Sequence, residues 1–104
     1  MKFINLTAHT INEVITGLQI KPSGIVARVA QVTDTVAMHN GTPIYSTEFG
    51  DLLGLPEPRE GIVYIVSAMA LNGVPAHRTD VVSPGNLKRD EAGQPVGCVG
   101  FRVK

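Results

Sequence analysis

Val36-Ala37-Met38-His39-Asn40-Gly41-Thr42-Pro43-Ile44-Tyr45 is the stretch whose reading decides the fold class. Asn-Gly takes the two positive φ angles that a two-residue type I′ turn demands, and that turn matches the right-handed twist of the strands it joins. Residues 36–39 and 42–49 therefore form a β-hairpin with its register set by the turn. Upstream, residues 25–33 (IVARVAQVT) alternate as a half-buried strand does, with Ala27 and Ala30 leaving the facing direction open. Downstream, residues 51–61 (DLLGLPEPREG) hold two prolines and two glycines, which fix φ and remove donors, so they read as a surface loop.

The same alternation of short apolar runs and turn residues extends to both ends. Phe3, Asn5 and Thr7 alternate with Ile4 and Leu6 as an opening strand, which the β-branched residues of 11–20 continue as far as the turn at Lys21-Pro22-Ser23-Gly24. Residues 62–66 (IVYIV) are a continuous apolar run, the signature of a strand buried on both faces. Ser67 then precedes Ala68, Met69, Ala70 and Leu71, good helix formers stopped by Asn72-Gly73, and predicts one helix of about two turns. Residues 80–83 read as a short strand ending at Pro84-Gly85, residues 86–89 as another, 90–94 as a turn and 96–103 as a final strand. Seven or so short strands in a chain of 104 residues imply one domain over 1–104, mainly β: a small antiparallel sandwich or barrel with one short helix.

Composition narrows the function classes. Nine Lys plus Arg balance nine Asp plus Glu, so the chain lacks the basic field that duplex nucleic acid requires. The balance is uneven: residues 1–33 hold Lys2, Lys21 and Arg28 against Glu13 (+2), and 34–61 hold five acids against Arg59 (−4). Residues 78–104 return to +2, so pairing of the two ends would line one anion-attracting face. One cysteine, Cys98, rules out an internal disulfide and a multi-thiolate metal site. The opening MKFINLT lacks the apolar run of a secretory signal, and residues 62–74 are too short to span a bilayer, so a cytoplasmic location and no membrane partner are expected.

No catalytic motif is present. Gly-x-Ser-x-Gly and the Walker and Rossmann glycine spacings are missing, and His9, His39 and His77 show no metal-ligand spacing, so neither a metal nor a cofactor is expected. Cys98, in Gly-Cys-Val-Gly, reads as a buried structural thiol. Candidate ligand-binding residues are six. Ser67 stands at a strand-to-helix junction, where it either caps the helix or frames an anion. Arg28, Arg78 and Arg89, with Asp80 beside Arg78, are suited to planar recognition of phosphate or carboxylate, or to ordinary surface ion pairs. His9 sits in a polar break, Thr7-Ala8-His9-Thr10, between apolar segments.

Asn5-Leu6-Thr7-Ala8-His9-Thr10-Ile11, Pro22-Ser23-Gly24-Ile25-Val26-Ala27-Arg28-Val29, Gly54-Leu55-Pro56-Glu57-Pro58 and the Arg89 to Gly93 turn leading to Gly97-Cys98 share a pattern. Together they resemble a family of small, mostly uncharacterised phage and prophage proteins that open with Asn-Leu-Thr-Pro-His. The likeness runs from Phe3 to Phe101 and departs at Ala8, where the family has proline, which makes the His9 loop less constrained. The resemblance implies a phage counter-defence role in a host cytoplasm. The expected function is a non-enzymatic, homo-oligomeric protein that sequesters a small anionic, nucleotide-like ligand. Two alternatives stand beside it: a small phosphodiesterase or lyase using His9 or His77 as acid or base, and a virion or host-protein interaction module that pairs through an edge of the Asn40-Gly41 hairpin.

Overall fold

The computed structural model describes residues 2–104. Its strands are β1 (Lys2–Asn5), β2 (Ile11–Glu13), β3 (Leu18–Ile20), β4 (Arg28–His39), β5 (Thr42–Leu53), β6 (Ile62–Ile65), β7 (Val81–Arg89) and β8 (Pro95–Arg102), with one helix, α1 (Ala68–Leu71). Six strands form a sheet in the order β1-β6-β7-β8-β2-β3. Just beyond β3, Pro22 bridges back to Asn5 at the end of β1, and Ser23 N–H donates to Asn5 O at 3.0 Å, so the sheet nearly closes into a barrel. Among the described residues no helix is long and apolar enough to cross a membrane.

The fold is mainly β with one short helix, as the sequence pattern requires. The sheet is mixed: β1 runs parallel to β6, β6 to β7 and β2 to β8, while β2–β3, β4–β5 and β7–β8 are antiparallel. Parallel neighbours need a crossover connection, and α1 supplies one between β6 and β7. The antiparallel expectation failed where chain segments long enough to cross over intervene.

Strand β6 carries the core on both of its faces, the reason for its unbroken apolar run. Ile65 points into the barrel with Ile11 and Cys98, ringed by Phe3, Ile20, Val82 and Phe101 from the other strands. Phe3 and Phe101 bring their ring centroids to 5.1 Å. Tyr64 and Val66 point outward into a second cluster with Leu6, Ala27, Leu71 and Val74, where α1 and the start of the β4–β5 hairpin cover the barrel wall.

Four boundaries differ from the sequence pattern, each for a visible reason. Residues 11–20 are not one strand, because the Glu13 carboxylate accepts from Ile15 N–H and Thr16 N–H and curls the chain into a turn between β2 and β3. The helix is a single turn, closed by 3₁₀-type bonds from Asn72 and Gly73, where Gly73 packs against Val29 and Leu52. Strand β5 runs on to Leu53, so the proline-bearing loop is confined to 54–61. Strand β7 passes straight through Pro84-Gly85. Beyond Val82 no strand among the described residues pairs with the far edge of β7, so proline's missing N–H is tolerated there, and a Cβ on Gly85 would lie 2.3 Å from Val99 O.

The Asn40-Gly41 turn has φ of 49° and 78°, as type I′ geometry demands. The hairpin is much longer than 36–49: of the expected strand 25–33, residues 28–33 merge with it while 25–27 stay outside any strand, and two twelve-residue strands project from the barrel as an arm. The arm makes the molecule elongated, 53 × 39 × 23 Å.

Candidate functional site

The end of β1 builds the first wall of a cavity. Asn5 is buried and its side chain is fully used: Nδ2 donates to His9 O at 2.7 Å and to Ile20 O at 3.0 Å, while Oδ1 accepts from Thr7 N–H at 2.9 Å and lies 2.6 Å from Thr7 Oγ1. The Thr7 to Asn5 contact is an Asx-turn, and the two donated bonds tie the following loop to β3. His9 is thus presented, exposed, by a loop whose backbone is held by a buried side chain.

That loop faces the start of α1 on one side and the β7–β8 hairpin on the other, enclosing a cavity of about 680 Å³. Polar lining comes from His9, Thr10, Asn12, Ser67, Asn86 and Arg102, and apolar lining includes Leu87, Val96 and Pro95. Arg102 Nε donates to Ser83 Oγ, itself fully buried, at 3.1 Å. Among the described residues this is the one hydrogen bond of its guanidinium, so both Nη groups keep donors in hand. Among the described residues no carboxylate and no Phe, Tyr or Trp ring lines the cavity, and the His9 imidazole is its one ring.

Of the six residues singled out from sequence, the cavity brings together two, His9 and Ser67. Ser67 Oγ accepts from Ala70 N–H at 3.1 Å and so acts as an N-cap, and a helix of one turn adds little dipole to attract an anion. Arg78 and Asp80 lie elsewhere, paired with each other: Nε to Oδ1 at 2.8 Å and Nη2 to Oδ2 at 3.0 Å, with Nη2 also donating to Pro56 O at 3.0 Å. The fork holds the 54–61 loop against the strand entering β7. Hydrogen bonding from Arg78 keeps the Asp80 carboxyl below its ordinary range, and the same bond raises Arg78. Arg28 is exposed at the root of the arm, and Arg89 donates to Gly93 O at 2.9 Å across the β7–β8 turn.

The cavity's cation, Arg102, was not among those six. Nothing in Gly100-Phe101-Arg102-Val103 marks it locally, and only the convergence of β8 with the His9 loop gives it a role. Asn5 was missed as a positioning residue, although Asn-x-Thr is a recognisable Asx-turn pattern.

Glu13, outside the cavity, and Cys98, at the buried end of its lining, hold structural positions. Glu13 is stitched to Gly100 N–H at 2.8 Å, Ile15 N–H and Thr16 N–H, which lowers its pKa to about 2. Cys98 is buried, and burial pushes its thiol up, away from the nucleophilic thiolate. Among the described residues no cluster of three His, Cys, Asp or Glu side chains could hold a metal ion. No family model, curated protein or solved structure matches this chain.

Proposed function

We propose that the protein binds a small anionic ligand of nucleotide size, without chemically altering it, in the cavity between the His9 loop and the β7–β8 hairpin. The observation that carries this reading is the convergence on one 680 Å³ space of His9, Ser67, Asn86 and Arg102, from four separate segments. Small-molecule sites are concave, roughly 300 to 1,000 Å³, with apolar walls and a few placed polar groups. Arg102 supplies charge and a planar fork, and Leu87 and Val96 supply flat apolar contact in place of aromatic stacking. Sequestration by capture, as in the phage counter-defence role that the sequence resemblance implies, requires nothing more.

The enzymatic alternative is disfavoured by the lining. His9 faces the cavity with no carboxylate there to orient it or to act as its acid–base complement, and the one thiol is buried and raised. His77 is exposed and outside the cavity.

The test is incubation with a panel of mono-, di- and cyclic nucleotides and ADP-ribose derivatives, followed by desalting, heat denaturation and chromatography of the released material. Intact ligand supports the proposal, and altered ligand supports the His9 enzyme. Retention of none sinks both. Hydrogen bonds to a charged partner are worth roughly 1.5 to 3 kcal/mol, so Arg102→Ala is expected to weaken binding about tenfold to a hundredfold.

A further inference from the structure

Beyond its root, one face of the arm is covered by nothing among the described residues. Val29 and Leu52 lie opposite each other and pack on the outer core cluster, and strand alternation carries their face outward through Gln31 and Phe49, Thr33 and Thr47, Thr35 and Tyr45, to Met38 and Pro43 near the tip. Two contacts confirm that orientation: Thr33 Oγ1 and Thr47 Oγ1 are 3.1 Å apart, and Gln31 Nε2 lies 3.2 Å from Met69 Sδ on α1. The face is a core face that continues past the barrel into solvent. Phe49, Tyr45 and Met38 are 59%, 62% and 63% exposed on it.

Charge is sorted between the two sides of the ribbon. Every Asp, Glu, Lys and Arg of the paired positions, namely Arg28, Asp34 and Glu48, falls on the opposite face by the same alternation. Apart from Asp51, which the bulge near the root leaves out of the paired register, the face carries no charge, and its Phe, Tyr and Met are residues enriched at the centre of protein interfaces. It is also self-compatible, since two copies stacked through it bring no like charges together. An isolated two-stranded ribbon is at best marginally stable in water, so the stretch of this hairpin that runs past the core needs a covering layer.

We propose that the covering layer is the arm of a second copy: two arms stack face to face about a twofold axis through the Thr33–Thr47 pair, each tip reaching the partner's α1. With about 60% of each still exposed, Phe49, Tyr45 and Met38 offer about 120 Å² apiece, and with the threonines, Gln31 and Pro43 between them about 500 to 600 Å² per protomer, so the stack buries roughly 1,000 to 1,200 Å², the lower end of specific interfaces. Met69, 52% exposed beside Gln31 at the arm's root, is the surface that the incoming tip covers. This dimer is independent of whether the cavity binds a ligand.

Sedimentation velocity between about 1 and 100 μM should show a particle of twice 11.1 kDa. The double variant Tyr45→Glu/Phe49→Glu should raise the dissociation constant at least about a hundredfold, whereas Val32→Glu, on the opposite face, should not. For an orientation test that does not depend on that variant folding, Thr33→Cys should form a covalent dimer in oxidised glutathione and Val32→Cys should not, with the buried Cys98 silent in both. A parent protein that is monomeric at 100 μM, leaving the face to some other partner, overturns the proposal. So does a dimer broken by Val32→Glu, or one cross-linked through Val32→Cys but not through Thr33→Cys.

Discussion

Replacing Asn5 by alanine removes four hydrogen bonds from one buried side chain without opening a large cavity. Each neutral bond contributes about 0.5 to 1.5 kcal/mol net, and a buried group left unpaired costs about 1 to 3 kcal/mol. The Thr7 hydroxyl and the His9 carbonyl lie near the surface and turn to water, whereas Ile20 O, at the closing seam of the barrel, is left without this donor. The expected loss is about 2 to 4 kcal/mol, a large share of the roughly 5 to 15 kcal/mol available to a domain. For a slope of about 2 kcal/mol/M, the urea midpoint falls by about 1 to 2 M. Asn5→Asp keeps the size and the Thr7 contacts but turns two donated bonds into carboxylate facing carbonyl, so it should be at least as damaging. Ligand affinity should fall as well in either variant that remains folded, because the loop presenting His9 is released. A midpoint shift below about 0.3 M for Asn5→Ala, or an Asn5→Asp variant as stable as the parent, would show that this side chain does not hold the seam.

Arg78→Ala is expected to destabilise the fold by about 2 kcal/mol by freeing the 54–61 loop and leaving the partly buried Asp80 unpaired, with ligand capture unchanged; calorimetry alongside the retention assay checks both halves. The Glu13 pKa is about 2 in the fold against 4.5 unperturbed, so its contribution to stability is complete above about pH 4.5 and is lost as pH falls towards 2. Urea titrations at stepped pH should show stability falling across that window, and Glu13→Gln should flatten the fall while lowering stability at neutral pH.

The sequence by itself determined the elements that rest on neighbouring residues. Asn40-Gly41 dictates a hairpin wherever it lies, because its φ preferences belong to two adjacent residues. The 62–66 run dictates a strand buried on both faces, and Ser67 before Ala68 dictates a capped helix start, since each acts within a few bonds. Tertiary structure alone decided the mixed sheet, because parallel pairing of β1, β6 and β7 depends on how long connections pack rather than on any local signal. It likewise decided which cation meets His9. Arg78 stands beside Asp80 in the chain and is consumed by it, while Arg102, unremarkable among its neighbours, is carried to the cavity by the pairing of β8 with β7 and β2. The arm divides the same way: alternation along β4 and β5 is legible residue by residue, but which face is a core face follows only from Val29 and Leu52 meeting the barrel wall. A turn is a property of two φ angles, whereas a site is a property of segments that share no chain neighbourhood and meet only through the packing of the whole.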